Sequence, residues 1–366
     1  MRILQICSAR DIGGGERHVA DLANALVGRG HDVFAVVSPN AALIGELDSL
    51  PREHILELRM RGGADILSVR NVAAIVRENK IDIIHAHVGR DYPLAALSSA
   101  RSGGTPFVLT RHVLFPLNKI HRLVLRKASR VIAVSNVVAE SLRGQRIFDP
   151  DKVVTIHNGV DVSRFDSMVA SSARPAALEG LDAKCLVGTI GHLAPIKGHE
   201  TFVRAAAIVA RERDDVDFVI VGEDKSPPGE NRAELEKLIE TLGLKKRVHL
   251  AGWQDDTAAV LRHLGIFVSA ARTEPFGLVM VEAMAAGVPV VATASEGALE
   301  IIDDGVTGLI VPIGDPDAIA ASIKRLLAEP DLCRRLAETG LMKAKENFSQ
   351  ERMVDATEMV YREVLE

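Results

Sequence analysis

The order of apolar and polar positions along the chain predicts parallel sheets with helices on their faces. Residues 2–8 form an apolar run of strand length, followed by a polar loop from Ser8 that carries Gly13, Gly14 and Gly15. A helix is expected from about Glu16, where Val19, Leu22, Ala23 and Leu26 recur at helical spacing and Gly30 ends the stripe. Residues 31–38 read as the next strand. Strand, glycine loop, helix and strand make a right-handed crossover unit, the building block of a parallel sheet covered on both faces. Further strands are expected around residues 81–87, 106–112, 131–135 and 153–157. A stretch rich in Ala, Ser and Pro between residues 166 and 184 suits a linker, and residues 185–198 restart the same scheme. Two similar α/β domains follow.

One expected helix differs from the others. Residues 278–286 hold only apolar residues and good helix formers except for Glu282, with Pro275 where a first turn tolerates it and Gly287 where a C-terminal cap belongs. Glu282 is therefore expected to be buried, and a buried carboxylate needs a partner. The partner is an arginine, a set of backbone amides, or a pair of ligand hydroxyls. Glu274 stands just before this helix, beside the amides of Phe276, Gly277 and Leu278. Amides at a helix start form an anion site suited to a phosphate or a sugar oxygen.

Composition narrows the class. At 366 residues and 47% hydrophobic content the chain can bury two cores of ordinary size. No apolar run reaches the ~18 residues that span a bilayer, and the first residues are too short a run for a signal peptide, so a soluble, cytoplasmic protein is expected. Cys7, Cys185 and Cys333 are far apart and odd in number, which points to neither a disulfide framework nor a zinc site. A net charge of −5 argues against nucleic acid as a general partner.

Three further features carry candidate chemistry. Gly13, Gly15 and His18 occupy the spacing of a dinucleotide fingerprint, but the third glycine is missing and residues 36–39 offer no acid for an NAD ribose. His85 and His87 point to one face of a strand end; no third ligand is recognisable nearby, so a structural or acceptor-side role is preferred to a metal. Lys119, Arg122, Arg126, Lys127 and Arg130 interleave with Ile120, Leu123, Val124 and Leu125 as a basic amphipathic helix, either a solvated face or a contact with anionic lipid or a phosphorylated acceptor.

Glu274 to Leu278, followed by Glu282 and the run to Ala292, closely resembles the E-x7-E signature of retaining glycosyltransferases of family 4. The resemblance covers nearly the whole chain. It implies the GT-B fold, an α/β architecture of two Rossmann-like doubly wound parallel-sheet domains facing across a cleft. Residues 1–165 would form the acceptor-side domain, rejoined by a C-terminal helix at about 350–366, and residues 166–349 the nucleotide-sugar domain. By the same resemblance Glu282 binds the donor ribose, and Glu274 with the amides of Phe276, Gly277 and Leu278 faces the transferred sugar and diphosphate. Lys197, before Gly198, binds the diphosphate, and Gly252 and Trp253 lie at the nucleobase. Gly14 and Gly15 close over the diphosphate, and His112 stands near the sugar. Glu274, His112 and Lys197 are thus the catalytic candidates.

His192 departs from the family, which commonly has arginine there; histidine holds a diphosphate as a cation only when protonated. The expected activity is transfer of a sugar from a UDP- or GDP-linked donor to a hydroxyl of a glycan or lipid-linked acceptor in cell-envelope polysaccharide or glycolipid synthesis. Neither cofactor nor metal is expected, and the protein would be cytoplasmic or peripheral at the inner face of the membrane. A sugar-nucleotide epimerase, a phosphorylase of the same architecture and a non-catalytic binding protein remain the alternatives.

Overall fold

The apolar runs pair side by side as strands, each followed by a segment that returns across a sheet face. The computed structural model describes residues 1–61, 65–167, 175–181, 183–226 and 228–366. Two compact units result: Met1–Gly159 together with Gln350–Glu366, and Val160–Ser349.

In the first unit the elements run β1 (Arg2–Cys7), α1 (Gly14–Gly28), β2 (Asp32–Val37), β3 (Ile55–Glu57), α2 (Ile66–Glu78), β4 (Ile83–Ala86), α3 (Tyr92–Arg101), β5 (Phe107–Arg111), α4 (Arg122–Leu125), β6 (Arg130–Ala133), α5 (Asn136–Gln145) and β7 (Val153–Thr155). The strands are parallel, in the order β3-β2-β1-β4-β5-β6-β7. Every residue of β4 and β5 is buried, as strands covered on both faces must be.

The second unit runs α6 (Ser163–Ser167), β8 (Cys185–Ile190), α7 (His199–Ala210), β9 (Val216–Val221), α8 (Glu230–Thr241), β10 (Val248–Gly252), α9 (Thr257–Leu261), β11 (Ile266–Ser269), α10 (Leu278–Ala285), β12 (Val290–Thr293), α11 (Glu296–Ile301), β13 (Leu309–Val311), α12 (Pro316–Ala328) and α13 (Pro330–Asn347). Its six strands are also parallel, in the order β10-β9-β8-β11-β12-β13. The last helix, α14 (Gln350–Leu365), belongs to the first unit, where Met353, Val354, Val360 and Tyr361 join the core formed by β1, β2 and α1.

Strand order reverses between β1 and β4 in one sheet and between β8 and β11 in the other. Chains leaving two such strands diverge to opposite faces and leave a crevice at the carboxyl ends, where ligands of this architecture bind. Each unit therefore has one preferred place for chemistry.

Two local expectations need correction. Helix α1 begins at Gly14, not near Glu16, so Gly14 and Gly15 are its first helical residues instead of loop residues. Residues 119–130 do not make one amphipathic helix: a short turn at Lys119–His121 leads to the four-residue α4, and Arg130 already opens β6. Of the expected linker, residues 168–174 and 182 lie outside the described residues. Among the described residues no helix is long and apolar enough to cross a membrane.

Candidate active site

In the second unit, β8 leads through Gly191 and His192 into a short turn at Pro195–Lys197, closed by Gly198 with φ of +69°. A Cβ on Gly198 would sit 1.8 Å from the Ala270 carbonyl oxygen, so only glycine lets this turn rest on the end of β11. The turn aims Lys197 across the crevice, and its Nζ lies 2.6 Å from Glu274 Oε2, both side chains being largely buried. The Glu274 backbone is itself held at both its N–H and its carbonyl. Its N–H donates to Glu296 Oε2 at 3.2 Å, the Thr273 hydroxyl donates to the same oxygen at 3.0 Å, and its carbonyl accepts from the Gly297 N–H at 2.8 Å.

Phe276 is buried and meets Phe348 edge to face at 5.8 Å between ring centres, and Gly277 at φ of +99° opens α10. The amides of Phe276, Gly277 and Leu278 thus stand at a helix start, as expected. At the other end Gly287, φ +68°, donates to the Met284 carbonyl while Val288 donates to that of Ala283, the paired bonds of a glycine-closed helix end. Glu282 is not fully buried. It lies with Leu278, Val279 and Ala286 on a partly exposed face of α10, while Met280, Val281, Ala283, Met284 and Ala285 fill the core. A sequence apolar but for Glu282 hid this face because alanine and leucine tolerate either environment.

Gly252 ends β10 at φ of +69°, its carbonyl accepting from the Gly222 N–H. The half-exposed Trp253 ring lies nearly parallel to His192, with centres 6.1 Å apart, and Lys225 Nζ stands 5.9 Å from its centre. His199 Nε2 donates to the His192 carbonyl at 3.0 Å and props this loop. A cavity of about 470 Å³ beside α7 and α8 touches Leu193, Pro195, Gly198, His199, Asn231 and Arg272, and Lys197, Glu274 and Glu282 do not line it.

In the first unit, β4, β5 and the first turns of α1 bring four histidines together. His18 faces His87 and His112 with ring centres 5.7 and 4.8 Å apart, and His87 and His112 lie 5.8 Å apart. Gly15 packs on the His112 ring, which a Cβ there would meet at 3.5 Å, whereas Gly14 faces open space. His85 is saturated: the Tyr361 hydroxyl donates to its Nδ1 at 2.6 Å and its Nε2 bonds Thr110 Oγ1 at 2.7 Å. No third histidine completes a set with both His85 and His87; instead His18 and His112 lie beside His87, one ring nitrogen of each within 4.8 Å of the others.

Burial holds these rings neutral. It pushes His18 down to about 4, against the pull of the Asn158 amide, and lowers His85, His87 and His112 well below the ordinary histidine range, with the neighbouring imidazoles adding to the effect. Unfolded histidines take up protons below about pH 6.5 while these do not, so the unfolded state binds more protons and stability falls as pH falls. In metal-free buffer the loss from pH 6.5 to 5.5 is expected to be about 1 kcal/mol for each ring that stays neutral, or roughly 3–4 kcal/mol together. Urea unfolding at the two pH values checks this; equal stability at both would mean the rings are protonated in the folded chain.

Two doubly wound parallel sheets of this strand order make the GT-B fold, and Lys197, Glu274 and the start of α10 stand at the switch point of the second. Residues 12–164 match the family described as Glycosyltransferase Family 4, and residues 178–342 match Glycosyl transferases group 1. The lipopolysaccharide core biosynthesis glycosyltransferase LpsE of Rhizobium meliloti is 30% identical over 94% of this chain and 94% of its own. A D-inositol 3-phosphate glycosyltransferase of Salinispora tropica is 30% identical over 88% of this chain and 71% of its own. The fold matches a Rickettsia africae glycosyltransferase (TM-score 0.87, 24% identity, 100% and 98% covered) and Anabaena HepE in complex with UDP and glucose (0.85, 23%, 99% of each). The chain belongs to glycosyltransferase family 4 and is a glycosyltransferase.

Sequence reasoning missed Glu296, Lys225, His18 and Tyr361. Glu296 carried a weak signal, an acid between Ser295 and Gly297 directly after an apolar strand. His18 stood in plain view as the residue in place of a third glycine, and its partners are far away in sequence.

Proposed function

We propose that this glycosyltransferase moves a sugar, with retention at the anomeric carbon, from a UDP- or GDP-linked donor to a hydroxyl of a glycan or lipid-linked acceptor in cell-envelope synthesis. The observation that carries the reading is the Lys197–Glu274 pair at the carboxyl ends of β8 and β11, next to the start of α10. An ammonium group has three donors, so Lys197 can keep Glu274 and still hold a diphosphate oxygen. As the bond from the anomeric carbon to the diphosphate breaks, the electron pair leaves with the diphosphate, and a preorganised cation and helix amides stabilise that charge without rearranging. Glu274 and His112 flank the sugar in this reading, Gly14 and Gly15 approach the diphosphate, and Gly252 and Trp253 take the base. These residues supply the charge that a metal would, so turnover is expected to survive EDTA.

The Anabaena neighbour's UDP and glucose support a uridine donor. The Rhizobium relative's lipopolysaccharide role supports an envelope acceptor. Peripheral attachment to an anionic membrane draws support from the segment before β6. Phe115, Ile120 and Leu123 are 71%, 77% and 68% exposed, among the outward-facing Lys119, Arg122, Arg126 and Lys127. Apolar and basic groups facing outward together fit a lipid surface better than a merely solvated face.

The deciding experiment is a thermal-shift screen of UDP, GDP, ADP and their common sugars, followed by nucleotide release with and without glycan or lipid extracts. Stabilisation by one nucleotide family and release that rises with acceptor are expected; NMR of the product then reads the anomeric configuration. Stabilisation by none of the nucleotides would refute the donor assignment. Glu282→Ala is expected to weaken donor binding about 10- to 100-fold, the worth of charge-assisted bonds to ribose hydroxyls. Calorimetry that finds donor affinity unchanged in this variant would remove Glu282 from the ribose.

A further inference from the structure

We propose that His18, His87 and His112 bind a divalent transition-metal ion of the zinc class, with a fourth coordination position left open, and that the bound ion inhibits sugar transfer. The first half stands on the histidines alone; the second rests on the proposed place of His112 at the sugar.

The hydrogen-bond chain through the sheet sets which nitrogen of His87 is bare. The Gln5 amide nitrogen donates to the Tyr361 hydroxyl at 3.4 Å, and that hydroxyl donates in turn to His85 Nδ1. The Gln5 carbonyl oxygen is thereby left to accept, and it lies 2.7 Å from His87 Nε2, which must carry the proton. His87 Nδ1 is then a lone pair without a proton. An outer carbonyl that receives one ring N–H and so fixes the other nitrogen for an ion is the recurring support of a metal-bound histidine.

The remaining nitrogens are unsatisfied in a way that proteins rarely tolerate. His87 Nδ1 and both nitrogens of His112 are shielded from solvent and have no hydrogen-bond partner among the described residues, and the buried His18 ring has only the Asn158 amide near it. Leaving such groups buried and unpaired is costly, and a shared ion removes several of these costs at once. Neutral imidazoles are also the form that binds a metal. A tetrahedral ion at about 2.0–2.1 Å from each nitrogen sets neighbouring nitrogens roughly 3.3 Å apart. One nitrogen of each ring here lies within 4.8 Å of the others. Small ring rotations close that difference, because the three side chains come from separate elements, α1 and the ends of β4 and β5. Three imidazoles with no thiolate suit Zn²⁺, Co²⁺, Ni²⁺ or Cu²⁺ and disfavour Mg²⁺ and Ca²⁺. His85, with both nitrogens occupied, stays outside the set. The inhibition follows because an ion that takes His112 removes it from the sugar.

The test uses the whole chain, stripped of metal by EDTA and dialysed. Titration with Co²⁺ is expected to give one ion per chain with the strong visible absorption of a four-coordinate site, displaced by Zn²⁺ and absent in His87→Gln. On the wild-type chain carrying labelled histidine, Zn²⁺ is expected to shift the ring resonances of three of the twelve histidines, which needs no variant to fold. Weak binding at many sites, or shifts of exposed histidines only, would overturn the site. Zn²⁺ at the occupancy read by Co²⁺ displacement should suppress nucleotide release at least tenfold, and EDTA should restore it. Stoichiometric binding with unchanged release would keep the site and overturn the inhibition, separating it from failure of the donor assignment, which the nucleotide screen reads independently.

Discussion

Replacement of Lys197 by alanine is expected to lower kcat by about 10²–10³-fold, the usual worth of one preorganised group aimed at developing charge. The donor KM should change far less, because Glu282 and the amides at the start of α10 still hold the nucleotide in the proposed site. Lys197→Arg should recover part of the rate, since the charge survives but the reach and the single-point contact with Glu274 do not. The free chain adds a second readout. Lys197 and Glu274 are paired at 2.6 Å before any donor arrives. Removing either partner strands the other in a largely buried position, whereas removing both leaves neither charge exposed to that penalty. A double-mutant cycle on stability should therefore be non-additive, with the double variant less damaged than the sum of the single ones. Steady-state kinetics with a saturating donor decides the main point: a kcat within threefold of wild type would take Lys197 out of the chemistry.

Gly297→Ala should be nearly as damaging to turnover, and for a different reason. The added Cβ would lie 2.0 Å from the Phe276 carbonyl oxygen and 2.8 Å from that of Glu274. Both obstacles are backbone, so no side chain can rotate out of the way. Helix α11 or the segment from Glu274 to Gly277 has to move, at a cost of about 2–4 kcal/mol, the upper range of overpacking. For a unit of this size that corresponds to a fall in apparent Tm of roughly 5–12 °C. A displacement of about 1 Å in a catalytic group costs on the order of 10²-fold in rate, and Glu274 is tied to the moved residue through the Gly297 N–H. Scanning calorimetry beside kinetics separates the two effects. Wild-type values in both would show that the contact is looser than the geometry has it.

Much of this molecule was readable in the order of its residues. The strand and helix alternation, the buried β4 and β5, the cap formed by Asp315 on the Ala318 N–H before Pro316, and the short apolar helix closed by Gly287 all follow from local patterning. Local signals suffice there because a run covered on both faces is apolar throughout, and a cap or a glycine turn depends only on its near neighbours in the chain. Lys197, Glu274 and Glu282 became candidates through the resemblance to the family, and the fold puts each at the carboxyl end of a strand or in the helix that follows. Glycines such as Gly198 and Gly277 mark the turns that aim them.

What needed the folded chain was the company each residue keeps. Glu282 has a face open to solvent because α10 is covered on one side only, and its own sequence is the same on both. The segment from Lys119 to Arg130 has the charge pattern of an amphipathic helix but only one helical turn, because Arg130 is drawn into β6 beside β5. Glu296 reaches Glu274 across 22 residues, His18 meets His87 and His112 across 69 and 94, and Tyr361 enters the first unit's core from the far end of the chain. Such pairings depend on strand order, which periodicity does not encode: β1 lies beside β4 because burying both faces of every central strand outweighs the entropy of closing the long loops between them.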